Sequence, residues 1–268
     1  MTTEPPNGKP QSGFFAARDG QQLYHEIWTP PGEVRATVVV VHGYGEHCGR
    51  YQNTVGALRP RGFELFAFDY RGHGQAGGRR GHIDHFAEYL DDLDRALELA
   101  RARGPRPLFL LGHSQGGLIA ARWVIERGQD LAGLVLSSPF MGLKLKVPAL
   151  KLAAGRVTSR WLPRTTFKND LDVKTLSRDP AVGEAYARDR FVHRVATARW
   201  FTEMSAAQQR CQEQARAITL PVLVYAGDAD AIADPAATRA VFDGIASADK
   251  KLTMVPGGYH ELMNDTCK

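Results

Sequence analysis

Apolar positions along the chain follow two spacings in turn, one of strands and one of helices. Phe14 to Trp28 roughly alternates apolar and polar residues on either side of Asp19-Gly20, a favoured hairpin dipeptide, so two paired strands are expected there. Thr37 to Val41 (TVVVV) is an unbroken β-branched run, the pattern of a strand buried on both faces of a parallel sheet. Arg50 to Arg59 reads as a helix stopped by Pro60 and Gly62, and Phe63 to Phe68 (FELFAF) as the next strand. Phe86, Leu90, Leu93, Leu97 and Ala100 recur at spacings of three and four, predicting a helix that Gly104-Pro105 ends. Leu108 to Leu111, Leu131 to Leu136, Pro221 to Tyr225 and Lys251 to Val255 read as further strands, with a helix over Leu118 to Glu126. Such alternation predicts an α/β domain with a mostly parallel central sheet covered by helices on both faces.

The alternation is interrupted from Pro139 to about Gln212, where helical stretches such as Ala185 to Ala198 occur without a β-rich run. In open α/β sheets the loops at the carboxyl ends of the strands border the ligand site, so this insertion is expected to be a cap over a pocket. The expected division is a core of residues 1–138 and 213–268, with 139–212 as the cap.

Composition narrows the class. With 268 residues, 43% of them hydrophobic, the chain can bury one large core. The polar start from Met1 to Ser12 is unlike a signal peptide, and neither end has an apolar run of about 18 residues, so a soluble cytoplasmic protein is expected. Cys48, Cys211 and Cys267 are too few and scattered for a disulfide framework and read as free thiols. Of the nine histidines only His82 and His85 lie at a helix-like spacing, with no third ligand at a suitable distance in sequence, so no metal or cofactor is expected. A net charge of +5 without a nucleic-acid-binding motif argues against nucleic acid as a partner.

Gly112-His113-Ser114-Gln115-Gly116-Gly117 matches G-x-S-x-G between an expected strand and an expected helix, the context in which that motif presents a nucleophile. A strand-turn-helix elbow strains the nucleophile's backbone and needs small neighbours, which Gly112 and Gly116 provide. Ser114 is therefore the expected nucleophile. A serine hydroxyl needs a histidine to take its proton and a carboxylate to orient that histidine. Only His193 and His260 follow Ser114; His193 falls in the cap, whereas His260 lies in a glycine-containing loop after the last strand. For the acid, Asp228 and Asp230 both lie just past the strand PVLVY, and spacing alone leaves the two open. The oxyanion needs two backbone N–H groups, expected from Gln115 and from Tyr44 in His42-Gly43-Tyr44-Gly45. That loop has neither the G-K-[ST] ending nor the GxGxxG spacing of a phosphate loop. Gly72-His73-Gly74 reads as a structural turn.

In order along the chain, HGYGEHCGRY, FDYRGHGQAGG, LLGHSQGG, the Gly227 to Asp230 turn and GGYHELMND resemble the blocks of the monoacylglycerol lipase and lysophospholipase group of α/β-hydrolases. The resemblance spans nearly the whole chain and implies the α/β-hydrolase fold. It implies Asp230 as the acid, the last residue of a Gly-x-x-Asp turn, and Tyr44 and Gln115 as oxyanion donors. Members usually continue past the histidine into a final helix, whereas this sequence stops at Lys268, which leaves two alternatives open: a longer natural chain, or an apolar strip of the sheet left uncovered.

The resemblance implies cleavage of single-chain lipid esters, foremost monoacylglycerols, through an acyl-enzyme. Lysophospholipids and simple carboxylic esters are the rival substrates, and a non-catalytic ligand-binding protein of the same fold is the rival class. Epoxide hydrolases and dehalogenases need an aspartate where Ser114 stands. From Leu131 to Asn169 there is no acidic residue, and Met141 to Leu152 mixes aliphatic residues with Lys144, Lys146 and Lys151. That composition suits peripheral contact with a membrane surface.

Overall fold

The computed structural model describes residues 7–128, 130–144, 149–169 and 171–266, with residues 149–154 described as backbone only. Eight strands form one sheet in the order β1-β2-β4-β3-β5-β6-β9-β10. They are β1 (Gln11–Ala16), β2 (Gln22–Trp28), β3 (Ala36–Val41), β4 (Phe63–Asp69), β5 (Leu108–His113), β6 (Gly133–Ser137), β9 (Val222–Gly227) and β10 (Lys250–Val255). The opening hairpin pairs β1 with β2, and β2 lies antiparallel to β4; every other pairing in this sheet is parallel. All six residues of β3 are buried, as its uninterrupted apolar run requires when both faces of a central strand are covered.

The helices are α1 (Gln52–Leu58), α2 (Ala87–Arg101), α3 (Gln115–Arg127), α4 (Ala149–Trp161), α5 (Pro180–Arg188), α6 (Ala198–Gln214) and α7 (Pro235–Gly244). On one face of the sheet Val39, Phe66, Leu110 and Leu136 pack with Leu93 and Leu97 of α2 and Ile119 of α3. On the other, Val38, Val40 and Leu65 pack with Tyr51 and Val55, the latter on α1. On that second face Leu223 of β9 remains 39% exposed.

Two elements depart from the sequence pattern. The expected helix over Ala185 to Ala198 is divided: α5 ends at Arg188, a turn follows, and β8 (Val195–Thr197) pairs with β7 (Thr166–Lys168) before α6 begins. Asp189 causes the break, because its carboxylate accepts the Phe191 N–H at 2.8 Å and pairs with His47 at 2.8 Å. The stretch expected to lack strands thus contains a short β-ribbon. The helix expected from Arg50 starts at Gln52, because Cys48 to Arg50 forms a 3-10 turn in which the His47 side chain accepts the Gly49 N–H. That leaves the Arg50 side chain pointing into the interior.

The first turn of α3 meets β3 with no side chain between them. A Cβ on Gly116 would lie 2.1 Å from the Val41 carbonyl oxygen and 2.4 Å from that of His42, and a Cβ on Gly112 would lie 2.4 Å from the Gly116 oxygen. These are rigid backbone atoms with nowhere to move. Gly116→Ala is therefore expected to lower the stability measured by denaturant unfolding by about 3 kcal/mol or more, at the severe end of overpacking effects.

Candidate active site

β5 delivers Ser114 to the carboxyl edge of the sheet, and α3 leaves from the next residue. Between them Ser114 adopts φ 52°, ψ −119°, a conformation that a side-chain-bearing residue enters only at a cost. Its backbone is pinned: its N–H donates to the Ser137 oxygen at 3.0 Å, and its own oxygen accepts the N–H of Phe140 at 2.9 Å. The strain turns the hydroxyl towards two loops from distant parts of the chain.

One is the turn after β9. Asp230 is buried there, and its Oδ1 accepts the N–H groups of Ile232 at 2.8 Å and Ala233 at 3.0 Å, fixing the carboxylate plane. Asp228 is exposed and faces elsewhere, its carboxylate accepting the Gly257 N–H at 2.7 Å. The structure therefore separates the two aspartates that spacing left open. The other loop follows β10, where Asp265 accepts the Tyr259 N–H at 3.1 Å and steadies the approach to His260.

His260 Nδ1 lies 2.7 Å from Asp230 Oδ2, and its Nε2 lies 2.9 Å from Ser114 Oγ. A carboxylate can only accept, so the ring proton sits on Nδ1 and Nε2 is left to accept the serine hydroxyl. Burial works against an imidazolium here, but Asp230, and behind it Glu261 and Glu46, outweigh it and hold His260 above the ordinary histidine range. Among the described residues the backbone N–H groups of Tyr44 and Gln115 have no acceptor. The Gln115 side chain is committed elsewhere, accepting Trp200 Nε1–H at 3.1 Å and donating to the Tyr70 hydroxyl at 3.2 Å.

A cavity of about 780 Å³ opens onto Ser114. Much of its wall is apolar, with Phe140, Leu171, Leu176, Phe201, Met204 and Ile232, and part is a polar cluster of Glu46, Arg50, Tyr186 and Glu261. Sequence reasoning singled out none of these polar residues. Glu46 and Arg50 stood inside a quoted block and Glu261 beside the catalytic histidine candidate, but their proximity exists only in three dimensions.

His193 is not at the serine. It lies in a cluster of rings behind the loop that follows β3, with ring centroids 4.7 Å from His73 and 5.2 Å from Tyr44, and His73 lies 5.5 Å from His42. His82 Nδ1 contacts Thr197 Oγ1 at 2.9 Å, joining core to insertion. Among the described residues no group of three His, Cys, Asp or Glu side chains is placed to hold a metal ion, and Cys48 and Cys211 are buried free thiols.

Residues 32–267 match the Hydrolase_4 family, described as serine aminopeptidase, S33. The chain belongs to this family. It is 33% identical over 253 residues to a monoacylglycerol lipase of Mycolicibacterium smegmatis, covering 94% of this chain and 90% of that protein. It is also 32% identical to phospholipase YtpA of Bacillus subtilis, over 86% of this chain and 89% of the relative. The crystal structure of the Paleococcus ferrophilus monoacylglycerol lipase superposes with a TM-score of 0.83 at 34% identity, covering 91% of this chain and 92% of that one. The mostly parallel sheet with its covering helices is that of the α/β-hydrolase fold.

The buried imidazoles also set an expectation for acid stability in this family member. Burial pushes His73 well below the ordinary value, His42 below it, and His113 and His193 down to about 4. Between about pH 6.5 and 4 the unfolded chain binds protons that the folded one refuses, so stability rises with pH across this window and is lost as pH falls. Denaturant unfolding over that range should show this slope, and His193→Phe should reduce its steepness. An identical slope in the variant would contradict the assignment.

Proposed function

We propose that this chain hydrolyses carboxylic esters of single-chain lipids, foremost monoacylglycerols, with Ser114 as nucleophile, His260 as base and Asp230 as its orienting acid. The observation that carries the reading is the unbroken relay Asp230–His260–Ser114 beneath a largely apolar cavity, beside two backbone N–H groups without acceptors. His260 Nε2 takes the hydroxyl proton as Ser114 Oγ bonds to the ester carbon, and the N–H groups of Tyr44 and Gln115 receive the oxyanion. Collapse breaks the ester C–O bond, with His260 returning the proton to the departing glycerol oxygen. Water, deprotonated by the same nitrogen, then releases the fatty acid from Ser114.

Residues 139–212 serve as the cap, supplying Phe140, Leu171, Leu176, Phe201 and Met204 to the wall that would enclose the acyl chain. Charge at the cavity favours a neutral head group. Three lining carboxylates, Glu46, Asp172 and Glu261, face two cations, Arg50 and Lys168, and the Arg50 guanidinium is held by Glu46 and Glu261. A phosphodiester would meet a net negative wall, whereas a diol would meet donors and acceptors. Likeness to phospholipase YtpA keeps lysophospholipid as the second reading.

Contact with a lipid surface belongs to the same proposal. Val157, Trp161, Leu162 and Phe167 are 62, 73, 65 and 51% exposed, large apolar side chains in a stretch that carries Arg156, Arg160 and Arg164. These residues lie beyond the segment Met141 to Leu152 for which surface contact was expected. Lys144 lies 3.6 Å from Asp234, in an ion pair with the core, while Lys146 and the Lys151 side chain fall outside the described residues. No helix among the described residues is long and apolar enough to cross a membrane.

Ser114→Ala and His260→Ala should each cost on the order of 10⁴ or more in kcat on monoacylglycerol, because such residues act as a unit. Asp230→Asn should be severely impaired and Asp228→Asn near normal; the reverse would move the acid. Activity requires neutral His260, so kcat/KM should rise with pH to a plateau, with its midpoint above about 6.5. Lysophospholipid turnover exceeding that of monoacylglycerol and short p-nitrophenyl esters in one panel would favour the second reading.

Replacing Trp161 and Leu162 together by Ser should slow hydrolysis of a long-chain monoacylglycerol carried on anionic vesicles and leave a short soluble ester unaffected. Equal rates on vesicles would remove the surface role.

A further inference from the structure

The polar cluster beside the serine is built around one guanidinium. Arg50 Nη1 donates to Glu46 Oε2 at 2.5 Å and to Glu261 Oε1 at 2.8 Å, while Nη2 donates to Glu261 Oε2 at 2.8 Å. The second contact is a two-pronged fork across 211 residues of sequence. Each carboxylate belongs to a different piece of the proposed machinery. Glu46 Oε1 accepts the Gly43 N–H at 2.6 Å and the Tyr51 hydroxyl at 3.0 Å, so it holds the peptide just before the oxyanion donor Tyr44. Glu261 follows His260 directly; its Oε2 accepts from Asn264 at 2.9 Å, and its N–H donates to the Leu176 oxygen of the insertion at 2.8 Å. The guanidinium also lies 4.8 Å from the centre of the Tyr186 ring on α5.

We propose that Arg50 is a positioning residue that locks the oxyanion loop to the histidine loop through Glu46 and Glu261. The inference rests on the triad reading above and adds to it a residue whose side chain hydrogen-bonds to Glu46 and Glu261 and not to Ser114 or His260. Three features favour this over a merely structural ion pair. Arg50, Glu46 and Glu261 side chains are 10, 5 and 4% exposed, where paired charges interact strongly and removing one partner is costly. The planar fork fixes distance and orientation together, which an ammonium cannot do. Finally, the two clamped loops carry the groups whose separation decides whether a carbonyl carbon, its oxyanion and the base can be aligned at once. Misplacement by about 1 Å in such an arrangement can cost on the order of 10² in rate.

The cluster also shapes the charge around the base. The His260 imidazole faces the carboxylates of Asp230, Glu261 and Glu46 and the imidazole of His113, whose ring centroid is 4.9 Å away. Burial resists ionisation of Glu46, but Arg50, His113, His42 and the Gly43 N–H outweigh it and hold it at about 2, so it stays charged through the working range. Neutralising Glu261 removes one of the negative charges that favour the imidazolium.

The test measures kcat, KM and the pH profile on a monoacylglycerol and on a short soluble ester, per active site titrated with a fluorophosphonate. Arg50→Lys keeps the charge and loses the fork; it should lose about tenfold or more in kcat on both esters, with KM within about twofold of wild type. Glu261→Gln should lower kcat and move the acid limb of kcat/KM down by about half a pH unit. Should Arg50→Lys fail to fold, Glu261→Gln carries the test alone. Wild-type kcat per titrated site with an unmoved acid limb in the variants that fold would overturn the proposal. So would a rise in KM at unchanged kcat, which would make Arg50 a substrate-binding group. Ser114→Ala run alongside keeps the two readings apart: turnover by that variant sinks the triad, whatever Arg50 does.

Discussion

Everything at the site follows from how closely α3 approaches β3. Backbone meets backbone at Gly116, with the Val41 and His42 oxygens where a side chain would otherwise begin, and the chain can enter α3 from β5 only through the strained conformation of Ser114. That contact raises the hydroxyl above the sheet edge and sets the first N–H of α3, on Gln115, beside the loop leaving β3, whose next free N–H is that of Tyr44. The proposed nucleophile and oxyanion donors are thus consequences of one packing event. The helix dipole adds to it, since the positive end of α3 starts where negative charge would develop.

Burial is the second theme, and its effect depends on partners. His113, His73 and His193 are buried without a carboxylate in hydrogen-bonding contact and are kept neutral. His260 is equally buried but bonded to Asp230, and its basicity rises. Glu46 and Glu261 share the one guanidinium of Arg50. A low-dielectric interior magnifies each of these differences, so a few ångströms separate the histidine proposed as base from histidines held neutral by burial.

Much of this was legible in the linear pattern because it depends on local chemistry. The β-branched run of β3, the three-and-four spacing of α2 and the glycines around Ser114 each express a requirement met within a few residues. The limits came where distant residues intervene. Ala185 to Ala198 has helical character, yet Asp189 is pinned to His47, 142 residues away in sequence, and the helix stops. Asp228 and Asp230 are alike in composition and position; only the fold shows one turned outward to Gly257 and the other inward to His260. Arg50 reads as the start of a helix, and its place between Glu46 and Glu261 depends on the turn from Cys48 to Arg50, which directs its side chain inward.

The central claim is that Ser114 is the atom-bearing nucleophile, poised by His260 and Asp230. The most direct measurement is mass mapping of the protein after reaction with a fluorophosphonate, whose adduct resists hydrolysis. The account predicts one phosphonyl group per chain, located on Ser114, formed faster as His260 loses its proton and absent from Ser114→Ala. A label on another residue, or undiminished labelling of Ser114→Ala, would contradict it.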